Sequence, residues 1–285
     1  MSEMQDTQAK AAQTKPEKEE ESWADILKTL VYAVLIALVL RTVFYKPFSI
    51  PSESMLPNLL VGDYLFVSQF SYGYSRFSLP LSPPLFSGRI FHTPPERGDI
   101  AVFKLPRDDR TDYIKRVIGL PGDEIRMVHG VLVINGKPVK KERIDDFIIP
   151  VTGNTDCRDR PRYRVALGDG TLVCKYPRYR ETLPNGRTYQ VLDLDPEGPS
   201  DTVGPWIVPE GNFFMMGDNR DASLDSRRPV SSGVGFVPYE NLVGRAEIIF
   251  FSTDGNAKLW TPWRWFQAAR FGRFFDSLRR DHVAE

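Results

Sequence analysis

The chain is poor in the residues on which most enzyme chemistry rests. Its 285 residues include three histidines, His92, His129 and His282, and two cysteines, Cys157 and Cys174. The histidines are isolated, no Cys/His spacing suits a metal, and no glycine-rich loop suits a phosphate. With no histidine near a Gly-x-Ser-x-Gly elbow, a Ser-His-Asp triad has no obvious members. Neither sign of charge is in excess. Lys+Arg and Asp+Glu both number 37, so a formal net charge of zero gives no reason to expect nucleic acid as a partner. Internal repeats are absent, and there is a single long apolar run. What is present suffices for a real core: 41% of residues are hydrophobic, enough for one large or two small domains. The two cysteines permit one disulfide outside a reducing compartment and are otherwise two free thiols; at this stage both readings stand.

Residues 1–22 mix lysine and glutamate with Gln, Thr and Ala, which reads as a solvated, disordered tail. The apolar run follows. Ile26 to Phe44, 19 residues, would span about 28 Å as a helix, close to the roughly 30 Å hydrocarbon core of a bilayer. The uncharged interior is only Thr29–Leu40, so spanning requires Lys28 and Arg41 to snorkel toward the interfaces. A cleaved signal peptide would need a small-residue cleavage site, where Arg41, Phe44, Tyr45 and Lys46 stand instead. A buried soluble helix would strand the two charges. The reading adopted is an uncleaved transmembrane anchor over 23–45, with its orientation unspecified by flanking charge.

Beyond the anchor the pattern turns to strands. Leu60–Val67, Asp99–Lys104, Tyr113–Ile118 and Val243–Phe251 are apolar and β-branched, and Asn135-Gly136, Gly168-Asp169-Gly170 and Asn185-Gly186 mark hairpins. Residues 71–97, rich in proline, read as an ordered loop without regular structure. The predicted fold is mainly β: a coiled antiparallel sheet core (46–139 and 206–256), a β-rich appendage (140–205), one N-terminal transmembrane helix and a C-terminal amphipathic helix (257–285). That last segment mixes Trp and Phe with arginine at helical spacing, which suits a helix lying in a membrane interface or one packing on the core.

Chemistry has few sources. The stretch Phe48-Ser49-Ile50-Pro51-Ser52-Glu53-Ser54-Met55-Leu56-Pro57 follows the anchor directly, and Ser54 is the candidate nucleophile. Its base must come from elsewhere, and with histidine excluded a lysine is the known remaining way to activate a hydroxyl. An ammonium with an ordinary pKa of about 10.4 is no base, so the lysine must be desolvated. Lys115 suits this best, inside an apolar strand and on one face with Tyr113 and Val117.

Four segments then combine: Ile50-Pro51-Ser52-Glu53-Ser54-Met55, Arg97 to Lys104, Tyr113-Ile114-Lys115-Arg116 through Asp123, and Gly217-Asp218-Asn219-Arg220-Asp221 through Ser226-Arg227 with Gly235-Phe236-Val237-Pro238. In this order, after an anchor, they resemble bacterial type I signal peptidase, the Ser/Lys dyad leader peptidase family, over roughly 26–138 and 212–251. The resemblance implies a membrane-bound serine endopeptidase that cleaves signal peptides from exported preproteins after small residues, without metal or organic cofactor. Its partners would be preproteins and the lipid bilayer, not nucleic acid. It would sit in the bacterial cytoplasmic membrane with its catalytic domain on the outer side. Position by position, the resemblance implies Ser54 as nucleophile and Lys115 as base, with Ser52 and the Ser54 N–H as the oxyanion hole. Ser223 would orient the lysine, and Asp225 and Arg227 would form a bracing ion pair. Phe48, Ile50, Met55, Leu59, Tyr113 and Ile114 would line the substrate pockets. Two departures from the family pattern are Glu53, where glycine is common, and the longer connection Arg228–Val234. A self-cleaving Ser/Lys repressor would share the chemistry, but no DNA-binding helix pair precedes the site; an anchored peptide-binding β-domain would share the placement.

Overall fold

A computed structural model describes residues 23–79, 81–157, 160–257 and 260–279. The expected disordered tail at 1–22 lies outside the described residues, as do 280–285. The first element is a helix, α1 (Trp23–Val43). Its window Trp23–Leu40 has a mean hydropathy of 2.0 and is 0% buried, so its apolar side chains stand exposed. Asp25 and Lys28, one turn apart, pair at 3.0 Å. A helix apolar on every side is suited to lipid rather than to a protein core.

The remainder, treated by itself, is built of short antiparallel strands. In chain order they are β1 (Tyr45–Ser49), β2 (Asp63–Ser68), β3 (Ile100–Lys104), β4 (Asp112–Gly119), β5 (Glu124–Val128), β6 (Val131–Ile134), β7 (Lys137–Pro138) and β8 (Lys140–Pro150). There follow β9 (Arg164–Ala166), β10 (Leu172–Thr182), β11 (Thr188–Leu192), β12 (Val203–Ile207), β13 (Asn212–Met216), β14 (Val237–Pro238), β15 (Leu242–Ser252) and β16 (Asp276–Ser277). The main sheet runs β1-β2-β15-β3-β4-β13-β14, with β16 added beside β15. A second sheet joins β8, β10, β11 and β9, and a third joins β12 to β5, β6 and β7.

Period-two burial marks β2, β5 and β6, whereas β3, β4 and β13 are buried almost throughout. In β2, Leu65 and Val67 point inward while Tyr64 and Phe66 remain exposed. Leu65 and Val67 join Ile50, Met55, Leu59, Val102, Ile114 and Ile249 in one apolar cluster, so the segment carrying Ser54 is seated on the main sheet by its own side chains. Register pins β3 to β4: Ala101 lies opposite Lys115 and Phe103 opposite Tyr113. The next two residues along from Ser54 that turn inward elsewhere, Leu56 and Leu60, pack instead with Ile149, Cys157, Cys174, Tyr176, Leu192 and Leu194 of the second sheet. Cys157 and Cys174 form a disulfide there.

The anticipated Asn135-Gly136 turn is present, with φ values of 51° and 73°, and β5 and β6 make a further hairpin turned at His129-Gly130, with φ values of 47° and 72°. One expectation needs correction. The amphipathic helix expected over 257–285 does not form among the described residues. Residues 260–279 contain only the single turn α2 (Trp265–Ala268), two 3-10 turns and β16, which pairs with β15. Pro262 starts one of the 3-10 turns, Phe275 adopts a φ of 63°, and the gain from a sheet pairing wins over helical spacing. Within 71–97, as expected, no strand is found among the described residues, only a 3-10 turn and a single bridge between Tyr74 and Ile90.

Candidate active site

Ser54 lies in the 3-10 turn Glu53–Met55, reached from β1. Glu53 does not adopt a positive φ, so the turn makes no demand for glycine at that position. Two hydrogen bonds from Asn219 hold the turn: its N–H donates to the Ser54 carbonyl at 3.1 Å and its side-chain amide to the Glu53 carbonyl at 3.2 Å. Neighbouring Gly217 explains itself sterically. A Cβ there would stand 2.2 Å from Ser223 Oγ and 2.6 Å from the Ser54 carbonyl oxygen, distances no side chain tolerates.

Lys115 projects from β4, is 3% exposed, and donates from Nζ to Ser54 Oγ at 2.6 Å and to the Ile114 carbonyl at 2.9 Å. Burial pulls its amine from the ordinary 10.5 down to about 8, while the carboxylates of Asp225 and Asp218 pull the other way. Desolvation outweighs both because neither acid is in contact with the amine; each is occupied by an arginine. Asp225 is fully buried and takes the Arg227 guanidinium at 2.9 Å through each of its oxygens, together with the Gly217 N–H at 3.0 Å. Burial would raise that carboxyl, but Arg227 and the hydrogen bonds hold it below its ordinary value. Asp218 takes Arg116 in a two-pronged contact at 2.8 and 2.7 Å.

Ser52 is exposed, with its Oγ 3.4 Å from Ser54 Oγ. Ser223 departs from expectation. Its hydroxyl contributes to the low Asp225 pKa, yet Oγ is buried and meets no partner at good hydrogen-bond geometry, Lys115 included. A groove of about 360 Å³ opens over the pair, lined by Phe48, Pro51, Ser52, Tyr113, Ile114, Ala222 and Leu224 among others. Of the expected pocket residues, Phe48, Tyr113 and Ile114 line it. Ile50, Met55 and Leu59 do not: at 2%, 0% and 0% exposure they belong to the core beneath. A second cavity, about 310 Å³, surrounds Arg116, Arg187 and Arg245; it contains neither Ser54 nor Lys115, and Arg116, next along the strand, faces away from the groove. The lengthened connection 228–234 closes as a tight turn, with Gly235 N donating to the Arg228 carbonyl at 2.9 Å and Val234 fully buried.

One buried layer escapes sequence reasoning. Arg220 donates to both Glu181 oxygens at 2.8 and 2.5 Å, Tyr189 donates to Glu181 at 2.6 Å, and Arg227 reaches the Arg220 carbonyl. Arg116 stacks 4.3 Å from the Tyr189 ring centroid. Thus β10 and β11 grip the loop 217–227 through charge. Nothing local could have signalled it, since Glu181 and Arg220 are 39 residues apart.

With this geometry in place, similarity to known proteins decides the family. Residues 23–251 match the family described as signal peptidase, peptidase S26. The chain belongs to that family. Signal peptidase I of Rickettsia typhi is 38% identical over 267 residues, covering 88% of this chain and 92% of that one. Its counterpart in Rickettsia akari is 40% identical over 236 residues, covering 79% and 78%. A crystal structure of a signal peptidase I from Enterococcus faecalis V583 is 26% identical and covers 54% of this chain and 97% of that one; its TM-score of 0.27 carries no argument about the fold. As a member of the signal peptidase family, the chain is a serine peptidase.

Proposed function

We propose that this chain is a membrane-anchored endopeptidase that removes N-terminal signal peptides from exported preproteins after small residues, with Ser54 as nucleophile and Lys115 as general base. The observation that carries the reading is the 2.6 Å contact between Ser54 Oγ and a buried lysine amine brought down to about 8. The neutral amine takes the Ser54 proton as Oγ attacks the scissile carbonyl. Charge developing on the carbonyl oxygen is met by Ser52 Oγ and the Ser54 N–H. The ammonium then gives its proton to the leaving amine, and the neutral amine activates water against the acyl-enzyme. The Asp225–Arg227 pair fixes the wall behind the lysine, and Ser223 lies in that wall against Gly217. Phe48, Tyr113 and Ile114 supply a shallow apolar rim that favours small side chains. The scheme calls on no metal or organic cofactor.

The anchor supports a substrate presented from the bilayer. Ser54 follows Phe44 by 10 residues, at most about 35 Å of extended chain, so cleavage occurs near the membrane surface. A Cys157–Cys174 disulfide suits the oxidising, outer side of the cytoplasmic membrane. The test uses detergent-solubilised full chain and a labelled preprotein carrying small residues before the cut, with product masses recorded. Ser54→Ala and Lys115→Ala are each expected to lower the cleavage rate by at least about a thousandfold while leaving the protein folded. Near-wild-type cleavage by either variant overturns the assignment.

A further inference from the structure

Away from the groove, three aspartates converge. Asp193, Asp201 and Asp221 each offer a carboxylate oxygen, and these oxygens lie within 4.8 Å of one another. The first two come from the loop joining β11 to β12; Asp221 comes from the loop 217–227 that bears Ser223 and Asp225. Asp193 is 3% exposed and Asp201 2%, so this is not a solvated acidic surface. Each carboxylate uses one oxygen locally. Asp193 Oδ2 accepts from Lys141 Nζ, Asp201 Oδ2 from the Gly198 N–H at 2.8 Å, and Asp221 Oδ2 from the N–H groups of Leu194 and Asp195 at 2.5 and 3.0 Å. Asp193 Oδ1 and Asp201 Oδ1 remain, both buried and without a hydrogen-bond partner.

A buried carboxylate oxygen without a partner is costly, and here two belong to one cluster. Formal charge points the same way. Among the described residues the three carboxylates face one ammonium, Lys141, leaving two formal negative charges, and Asp195 and Glu197 stand on the same loop. The arginines nearby are turned to other atoms: Arg160 donates to the Asp221 carbonyl, Arg162 to the Leu194 carbonyl and Arg228 to Ser200 Oγ.

We infer that Asp193, Asp201 and Asp221 bind one hard divalent cation of the calcium class, which clamps the loop 193–201 to the loop behind the active site. Calcium holds carboxylate oxygens at about 2.4 Å, so two oxygens on one ion lie at most about 4.8 Å apart, and the three oxygens here fall within that limit. An all-oxygen donor set selects such an ion over the softer metals that favour thiolate or imidazole. The cation neutralises the two excess charges and occupies the unpartnered oxygens. Asp221 stands two residues before Ser223, so occupancy stiffens the segment that backs Lys115. Sequence spacing concealed the site, because its third member lies 20 residues beyond the second.

The test needs no substrate, so it stands apart from the peptidase reading. Full-length protein in detergent is stripped with a chelator, exchanged into chelator-free buffer and titrated with calcium chloride, followed by calorimetry and thermal melting. One calcium per chain and a melting temperature that climbs with calcium concentration are expected. Asp193→Asn and Asp201→Asn are each expected to weaken binding by at least about tenfold. A wild-type chain that gives neither binding heat nor a melting shift at millimolar calcium overturns the proposal, whether or not the variants fold. Unchanged affinity in both variants overturns it too. A proton shared among the acids would instead leave the wild type indifferent to calcium and make Asp201→Asn the more stable protein.

Discussion

Lys115 is asked to be a base while surrounded by apolar atoms and two acids it does not touch, and its pKa decides at what pH it can act. In the proposed mechanism only the neutral amine accepts the Ser54 proton. With its pKa brought to about 8, kcat/KM is expected to rise tenfold per pH unit below about 8 and to level off above it. A midpoint near 6.5 would instead assign the base to a histidine and sink the dyad. The same shift has a sign for stability. Between about 8 and the ordinary value near 10.5 the unfolded chain binds a proton that the folded chain does not, so this group's contribution rises with pH across that window. At this scale much was legible. Ser54 and Lys115 stand in recognisable segments, and the structure brings them into contact. Ser223 was not legible in the same way: its segment fixes its neighbourhood, but a hydroxyl rotates about one bond, and order along the chain cannot say whether Oγ reaches Nζ. The resemblance places Ile50, Met55 and Leu59 in the pocket lining, but apolar residues beside a nucleophile serve a pocket or a core equally well, and burial alone separates the two.

Elements were legible where the pattern is local, as in β3, β4 and the Asn135-Gly136 hairpin, and opaque where a distant partner decides. The C-terminal stretch is the clearest case. Its aromatic and arginine spacing fits a helix, but its arginines find targets across the fold. Arg273 donates to Asp63 at 3.0 and 2.6 Å and to the Asn58 carbonyl at 2.9 Å, while Arg270 reaches the Val61 carbonyl at 2.9 Å. Asp63 is fully buried and starts β2, also accepting from Ser252 Oγ at 2.6 Å and the Leu60 N–H at 2.7 Å. The strap therefore latches the segment that returns from Ser54 to the sheet. Arg273→Met leaves the Asp63 carboxylate with neutral donors only and is expected to lower stability by about 2–3 kcal/mol, less than a fully buried pair because Arg273 keeps some exposure. A denaturant titration measures it, and a double-mutant cycle with Asp63→Asn isolates the pair. A coupling below about 0.5 kcal/mol would reduce the latch to an ordinary surface ion pair.

The body beyond α1 works as a whole because the Ser54 segment belongs to two cores at once. Met55 and Leu59 face the main sheet, while Leu56 and Leu60 face the second sheet, whose cluster contains Cys157 and Cys174. The disulfide spans 17 residues of sequence, and closing a loop of that size contributes about 3 kcal/mol in the chain-entropy account. Because Leu56 and Leu60 share that cluster, loosening it reaches the residues that follow Ser54. Replacing both cysteines with alanine avoids burying new hydroxyls and is expected to lower the denaturant midpoint by an amount equivalent to about 2–4 kcal/mol. Treating the wild type with reductant should lower it by a similar amount, and neither change should alter which peptide bond is cut, since Phe48, Tyr113 and Ile114 lie in the other sheet's groove. Cleavage rate should fall most near the new melting temperature. A variant as stable as wild type would mean that the apolar packing of Leu56, Leu60, Tyr176 and Leu192 holds the second sheet to the Ser54 segment without the disulfide.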